Sequence, residues 1–162
     1  MTAPPRAGDT IFALSTAGLP SAIAIVRASG PAAGSALEAL TGRAQTPRVA
    51  RLARLRDPDN GELIDRALTL WFSAETSETG EDVAEFHIHG SRAIAATLLA
   101  ALGAMPGLRA AEPGEFMRRR LLNGKIDLTQ AEAYADLIEA ETESQRRHAL
   151  ALAEGGLRRQ IE

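Results

Sequence analysis

The chain contains no cysteine. That excludes a disulfide framework, a thiolate metal site and a cysteine nucleophile, and it fits a reducing compartment. Aromatic residues make up only 4% of the 162 residues, while alanine is abundant, a bias of GC-rich coding DNA that carries no functional meaning. There is no excess of one charge: 18 basic residues stand against 21 acidic ones, for a net charge of -3, and no long block of either sign occurs. Net charge therefore does not announce a nucleic-acid binder. No apolar run is long enough to span a bilayer, and Met1 to Thr10 lacks an apolar core of signal-peptide length, so a cytoplasmic chain without a membrane partner is expected. No Ser-His-Asp spacing and no glycine-rich phosphate loop is visible. The length suits one domain, or one domain with an appendage, with a core of useful size.

What is present alternates between strand and helix signals. Thr10 to Ser15 and Ala22 to Val26 read as strands separated by the turn-rich Thr16 to Ser21, a strand-loop-strand unit. Pro31 suits the first turn of a helix continuing through Ala32 to Leu40. Val49 to Leu55 mixes apolar residues with Arg51 and Arg54, as in a strand with one wet face. The turn Asp57-Pro58-Asp59-Asn60-Gly61, in which Asn-Gly supplies positive φ cheaply, leads to a partner strand over Ala67 to Phe72. A polar loop from Ser73 to Gly80 precedes a strand over Val83 to His89. An alanine- and leucine-rich helix over Ala93 to Leu102 and a short strand over Leu108 to Ala111 follow. This interleaving predicts an α/β (α+β) class with a mixed sheet.

The C-terminal part carries the densest signal: a Pro113-Gly114-Glu115-Phe116 turn, a short basic helix with Arg118-Arg119-Arg120, an Asn123-Gly124-Lys125 loop and a helix start. Asp127 and Gln130 have the spacing of a capping box. From there helical residues are expected to run to about Glu154, a rod of roughly 40 Å, with Leu128, Ala131, Ala135 and Ile138 on one face. Beyond Glu141 the apolar pattern thins, so the outer half is expected to pack against something outside this chain.

Several polar residues have both a functional and an ordinary reading. Glu85, His87 and His89 fall at period two and share one face of a strand. They suit a solvated sheet face, a metal site or a ligand site. As a ligand site, the Glu85 carboxylate could accept two parallel N–H bonds from an aminopyrimidinone edge such as a pterin presents. Arg27 at a strand end and Lys125 in a turn are ordinary solvated charges on local grounds. The triple arginine suits a solvated face or an anionic partner.

Two stretches resemble a known family. Pro113 to Glu132 resembles, nearly continuously, the motif Pro-Gly-Glu-Phe, two to four mixed residues, then Leu-Asn-Gly-Lys-x-Asp-Leu-x-Gln-Ala-Glu-Ala of the MnmE (TrmE) family of tRNA-modification GTPases. Thr79 to Gly90 supplies every fixed position of that family's Thr-Gly-Glu-Asp-x-x-Glu-x-x-x-His-Gly signature. Ile23 to Gly30 resembles an early strand of the same N-terminal domain. Departures occur at Ser91, at Arg120 and Leu121, and in the loop Thr16 to Ser21, onto which no function is carried.

The resemblance spans about Asp9 to Glu154. It implies a tetrahydrofolate-binding-type domain with flanking helices over residues 1–120, and the beginning of a truncated helical domain over 121–162 that opens with the long helix. It implies binding of a formyl- or methylene-tetrahydrofolate by Arg27, Glu85 and Lys125, and a homodimer. With a flavin-dependent MnmG partner, the parent protein would form carboxymethylaminomethyluridine at the tRNA wobble position. Potassium and magnesium would belong to a GTPase domain absent from this sequence. The alternatives are a stand-alone folate-dependent one-carbon transferase, using Asp82 or Glu85 as acid or base, and a ligand-free dimerisation module. Lacking a loop to cradle the β- and γ-phosphates, the chain is expected not to hydrolyse GTP. Phosphate release above background in a preparation free of other GTPases would contradict this.

Overall fold

The computed structural model describes residues 8–155. The start of the Met1 to Thr10 stretch and the end of the expected second domain, from Gly156 on, lie outside the described residues. Two compact units are present, one ending at Pro113 and the other beginning at Gly114.

The first unit is a six-stranded mixed sheet with two helices. In chain order it contains β1 (Thr10–Leu14), β2 (Ser21–Ser29), α1 (Ala33–Thr41), β3 (Arg51–Arg56), β4 (Leu63–Phe72), β5 (Val83–Gly90), α2 (Arg92–Ala104) and β6 (Leu108–Ala110). The spatial order is β3-β4-β5-β2-β1-β6. All neighbours are antiparallel except β1 and β6, which run parallel. The expected class and hairpin are therefore present, with boundaries shifted by a few residues. In the hairpin turn Gly61 takes φ 76°, and the Asp57 carboxylate accepts the Asp59 N–H at 2.9 Å.

Strand alternation divides the sheet into two faces. Ala24, Val26 and Ala28 of β2 and Ala84, Phe86 and Ile88 of β5 join Leu37 and Leu40 of α1 and Leu98 and Leu102 of α2 in one buried cluster. The opposite face carries Ile23, Ile25 and Arg27 on β2, Glu85, His87 and His89 on β5, and Leu68 and Leu70 on β4. Few aromatics enter the core; Phe12 and Phe86 are the buried ones, and small alanines let the helices approach the strands closely.

The second unit is helical: α3 (Glu115–Leu122), α4 (Leu128–Glu139) and α5 (Glu143–Ala153). A division of the chain after residue 120 would cut α3. The capping box at Asp127 is present, with Gln130 N–H donating to Asp127 at 2.8 Å and Gln130 Oε1 accepting from Asp127 N–H at 3.1 Å.

The single long helix is not. The chain breaks at Ala140 to Thr142, where Ala140 is extended (φ -64°, ψ 121°) and Thr142 caps a new helix. The cause is a second box, Thr142 to Gln145, in which each residue bonds the other's backbone N–H at 3.2 and 2.9 Å. The helical pattern across 128–154 hid it, because Thr-x-x-Gln is an equally good helix start. The expected face is also corrected. Leu128 is 62% and Ile138 82% exposed, whereas Ala133, Ala149 and Ala153 are buried. Once the chain turns back, α4 packs on α5, and Gln130 Nε2 reaches the carbonyl of Ala153 at 2.9 Å. Residues beyond 141 thus find their support within the chain.

At the start of α5, Arg146 and Arg147 both bond Glu143 and hold its carboxyl at a pKa of about 2. Losing the Thr142 hydroxyl should cost α5 about 1 kcal/mol. Hydrogen exchange of Thr142→Ala should show faster exchange across α5 with β2 and β5 unchanged; equal slowing or quickening everywhere would contradict an independent second start.

Candidate functional site

The helix-free face of the sheet is organised in cross-strand rows. One row reads Leu70, Glu85, Arg27, Ala13 across β4, β5, β2 and β1; the next reads Leu52, Leu68, His87, Ile25 across β3, β4, β5 and β2. Arg27 and Glu85 are therefore direct antiparallel partners, a placement that favours opposite charges. Arg27 Nε lies 3.2 Å from Glu85 Oε1, and His87 Nε2 stands 3.1 Å from Glu85 Oε2. The Arg27 guanidinium also reaches Glu78 at 3.4 Å. Glu85 and Arg27 are neither sealed in nor freely solvated, at 18% and 23% side-chain exposure. Glu85 points to the open face, so the apolar neighbours Val83, Ala84 and Phe86 do not enclose it.

The loop 73–82 is tied down by the residues of the Thr-Gly-Glu-Asp stretch. Thr79 is buried, at 1% exposure. Its hydroxyl lies 2.8 Å from Ser29 Oγ, which in turn donates to Glu81 at 2.8 Å. Asp82 accepts the Ala74 N–H at 2.9 Å, and its carbonyl accepts Gly30 N–H at 2.9 Å. These polar groups hold the loop against the end of β2, and so hold Glu78 within reach of Arg27. Asp82, a candidate acid or base for a stand-alone transferase, is engaged in closing the loop.

The histidines divide between two partners. His87 faces Glu85, while His89 Nδ1 lies 2.8 Å from Asp65, whose other oxygen accepts the His89 N–H at 2.8 Å. Among the described residues no group of three metal-ligating side chains comes together. Lys125 belongs to the second unit, in the loop between α3 and α4. There Gly124 takes φ 67° and Lys125 N–H donates to the Arg120 carbonyl at 2.9 Å. The structure thus brings Arg27 and Glu85 together and sets Lys125 in an ordered loop of the other unit. Sequence reading missed Glu78 and Asp65, which join this face through loop closure and strand register rather than through local spacing.

The second unit has its own charged centre. Glu115 is buried, at 1% exposure, with Arg119 at 3.3 Å and Arg118 at 3.6 Å. Arg120 lies over the Tyr134 ring, 4.6 Å from its centroid. The triple arginine is therefore committed to local structure rather than spread as a solvated basic face.

Residues 10–125 match the family described as GTP-binding protein TrmE N-terminus. The chain is 54% identical over 154 residues to a tRNA modification GTPase MnmE of Novosphingobium aromaticivorans, covering 95% of this chain and 35% of that protein. It is 59% identical over 154 residues to one of Beijerinckia indica, covering 95% and 34%, and 60% identical over 142 residues to one of Rhodopseudomonas palustris, covering 88% and 31%. The chain spans about a third of the length of these relatives.

The rows on the open face make a direct energetic prediction. A double-mutant cycle on Arg27 and Glu85 should return a coupling of about 1 kcal/mol, because both side chains are mostly shielded. The Arg27 and Glu78 pair should return only a few tenths, since exposed pairs are worth about 0–1 kcal/mol. Urea denaturation checks this; equal couplings would mean that the sheet face is as wet as the loop.

Proposed function

The chain belongs to the TrmE N-terminal family of tRNA modification GTPases, and on that footing we propose that it binds a reduced folate and pairs with a second copy of itself. The observation that carries the reading is the Arg27 and Glu85 pair, partly exposed on the helix-free face of the sheet and flanked by Ile25 and Leu70.

Tetrahydrofolate has a flat pterin with adjacent N–H donors and a glutamate tail that is a dianion. Ionised Glu85 has two oxygens and about four lone-pair directions. It can keep one contact with Arg27 or His87 while accepting from the pterin edge. Arg27 supplies a charge-assisted donor to a carboxylate or formyl oxygen. Lys125 is proposed as a third contact from the Asn-Gly-Lys loop.

Pairing is supported by the same face. Ile23 is 61%, Leu52 73% and Leu68 39% exposed, and Leu52 and Leu68 are register partners. Contiguous exposed aliphatic side chains mark an association surface, and a two-fold homodimer is the commonest closed solution. The parent protein would act with an MnmG-type flavoprotein in forming carboxymethylaminomethyluridine on tRNA, in the cytoplasm.

Calorimetric titration with formyl-tetrahydrofolate should give saturable binding by the unmutated chain. Glu85→Gln keeps the shape but presents a donor where an acceptor is needed. It should weaken binding by about thirty-fold or more, in line with the roughly 2–5 kcal/mol attached to truncating one partner of a buried charged contact. Lys125→Ala should weaken it as well. Unchanged affinity in both variants would place the folate elsewhere. Sedimentation at micromolar concentration should show a dimer, and a monomer with and without folate would remove the pairing.

A further inference from the structure

The strand at the sheet edge carries arginines that no carboxylate meets at ion-pairing distance among the described residues, although Asp57, Asp59 and Glu62 follow in the hairpin turn and Asp65 on β4. Residues 43–56 contain Arg43, Arg48, Arg51, Arg54 and Arg56 and no acidic residue. Four of these, Arg43, Arg51, Arg54 and Arg56, line a cleft of about 500 Å³ between the end of α1 and β3. Among the described residues, Arg43, Arg48, Arg51 and Arg54 make no ion pair, whereas Arg27, Arg109, Arg119 and Arg146 each sit on a carboxylate. Arg56 gives one N–H to the Gly61 carbonyl at 2.9 Å.

Across from Arg54, in register on β4, stands Arg66. Like charges directly opposed destabilise a sheet. Charged residues on an edge strand are an ordinary guard against strand addition, but β4 lies inside the sheet, so that guard does not account for Arg66. The carboxyl end of α1 favours a cation at Arg43 with about half a charge, and it does not account for the strand arginines either. An anion between Arg54 and Arg66 would relieve their repulsion.

We propose that this arginine-lined edge is a track for an RNA phosphodiester backbone. The inference rests on the reading that the parent protein acts on tRNA. By alternation Arg51 leaves the edge on the side of buried Leu55 and Arg54 on the side of exposed Leu52. The guanidiniums thus flank the edge strand from both faces over about 17 Å at about 3.3 Å per residue, which is longer than one phosphate and suits a polymer. The guanidinium fork matches phosphate oxygens in pairs. Apart from the arginines the cleft is lined by Ala39, Leu40, Thr41, Gly42, Leu52 and Ala53. It thus offers neither the aromatic platforms that stack unpaired bases nor the aromatic anchors of a protein interface. Recognition here is of the backbone and independent of sequence, which positions an RNA without choosing its bases.

The test is fluorescence anisotropy of a labelled tRNA anticodon stem-loop with the full 162-residue chain. Engagement of three or four phosphates should weaken binding by about 20- to 150-fold between roughly 50 and 200 mM salt. The combined change Arg51→Gln, Arg54→Gln and Arg66→Gln should lower affinity at least about ten-fold at low salt and flatten the log–log salt slope by about two units. The matching lysine variant should keep most of the slope, and Arg146→Gln with Arg147→Gln should leave both quantities unchanged. An unaltered slope in the glutamine variant overturns the proposal. So does labelled polyglutamate of matched charge binding as tightly as the RNA, which would make the edge a docking face for acidic protein. Formyl-tetrahydrofolate is titrated into the same variants. RNA binding lost with folate uptake retained supports the track. No RNA binding by the unmutated chain, with folate uptake intact, removes the track and leaves the folate reading standing.

Discussion

The antiparallel register of β2 against β5 positions nearly everything else in the first unit. It pairs Ala24 with Ile88, Val26 with Phe86 and Ala28 with Ala84, and by the same alternation it pairs Arg27 with Glu85. A slip of one residue would turn Phe86 to the open face and drive Glu85 under the helices, where an ionised carboxylate without a partner is costly. Core and charged face are therefore one constraint. Both ends of the pairing are pinned by glycine. Gly90 lies against Ser21, whose carbonyl oxygen would be 2.1 Å from any added Cβ; Gly30, at φ 137°, would bring a Cβ within 2.7 Å of the Thr10 backbone. Only a residue without a side chain lets β2 meet its neighbours at these two points.

That register explains how the Thr79 to Gly90 stretch divides its work. Its first half secures the loop: Thr79 and Glu81 bond Ser29, and Asp82 bonds Ala74 and Gly30. Its second half is strand, and presents Glu85 and His87 outward. A chain of hydroxyls ending on a carboxylate is strengthened by its own polarisation, so the loop that carries Glu78 is firmly seated although Glu78 itself is exposed. One compact run of polar residues thus yields both a scaffold and a charged surface.

The class of the fold and most strand positions were legible because period-two alternation and turn residues such as Asn60-Gly61 act locally. The family was legible from Pro113 to Glu132 and from Thr79 to Gly90, where polar residues occur in a fixed order that packing alone does not require. The break at Ala140 to Thr142 was not, because Glu, Ser and Gln after Thr142 are tolerated inside a helix and mark a start only when the chain actually turns. The outward placement of Leu128 and Ile138 was missed for the same reason: a 3.6-residue period finds an apolar stripe, and which stripe is buried depends on where the partner helix comes from. Arg27 and Glu85 were each singled out, but their contact depends on register between strands more than fifty residues apart, which no local spacing encodes.

The net charge of -3 conceals a spatial sorting of ionic groups. Where β2 meets β5 and in the second unit, Arg27 and Arg119 are matched to carboxylates at hydrogen-bonding distance, Arg27 to Glu85 and Arg119 to Glu115. Such pairs fix geometry and contribute little long-range field, since each is nearly neutral a Debye length of about 8–10 Å away. Along β3 and its partner strand Arg51, Arg54, Arg56 and Arg66 make no ion pair among the described residues, Asp65 of β4 being taken up by His89, so their fields add. An averaged composition cannot distinguish these arrangements, because pairing cancels in the count as well as in space. Asp57, Asp59, Glu62 and Asp65 belong to the same hairpin, but six arginines over residues 43–66 outnumber these four carboxylates, which leaves the β3 edge a local cationic surface on an acidic protein. Polyanion attraction is decided by that local field rather than by the total, so a mildly acidic composition is compatible with a phosphate-binding edge.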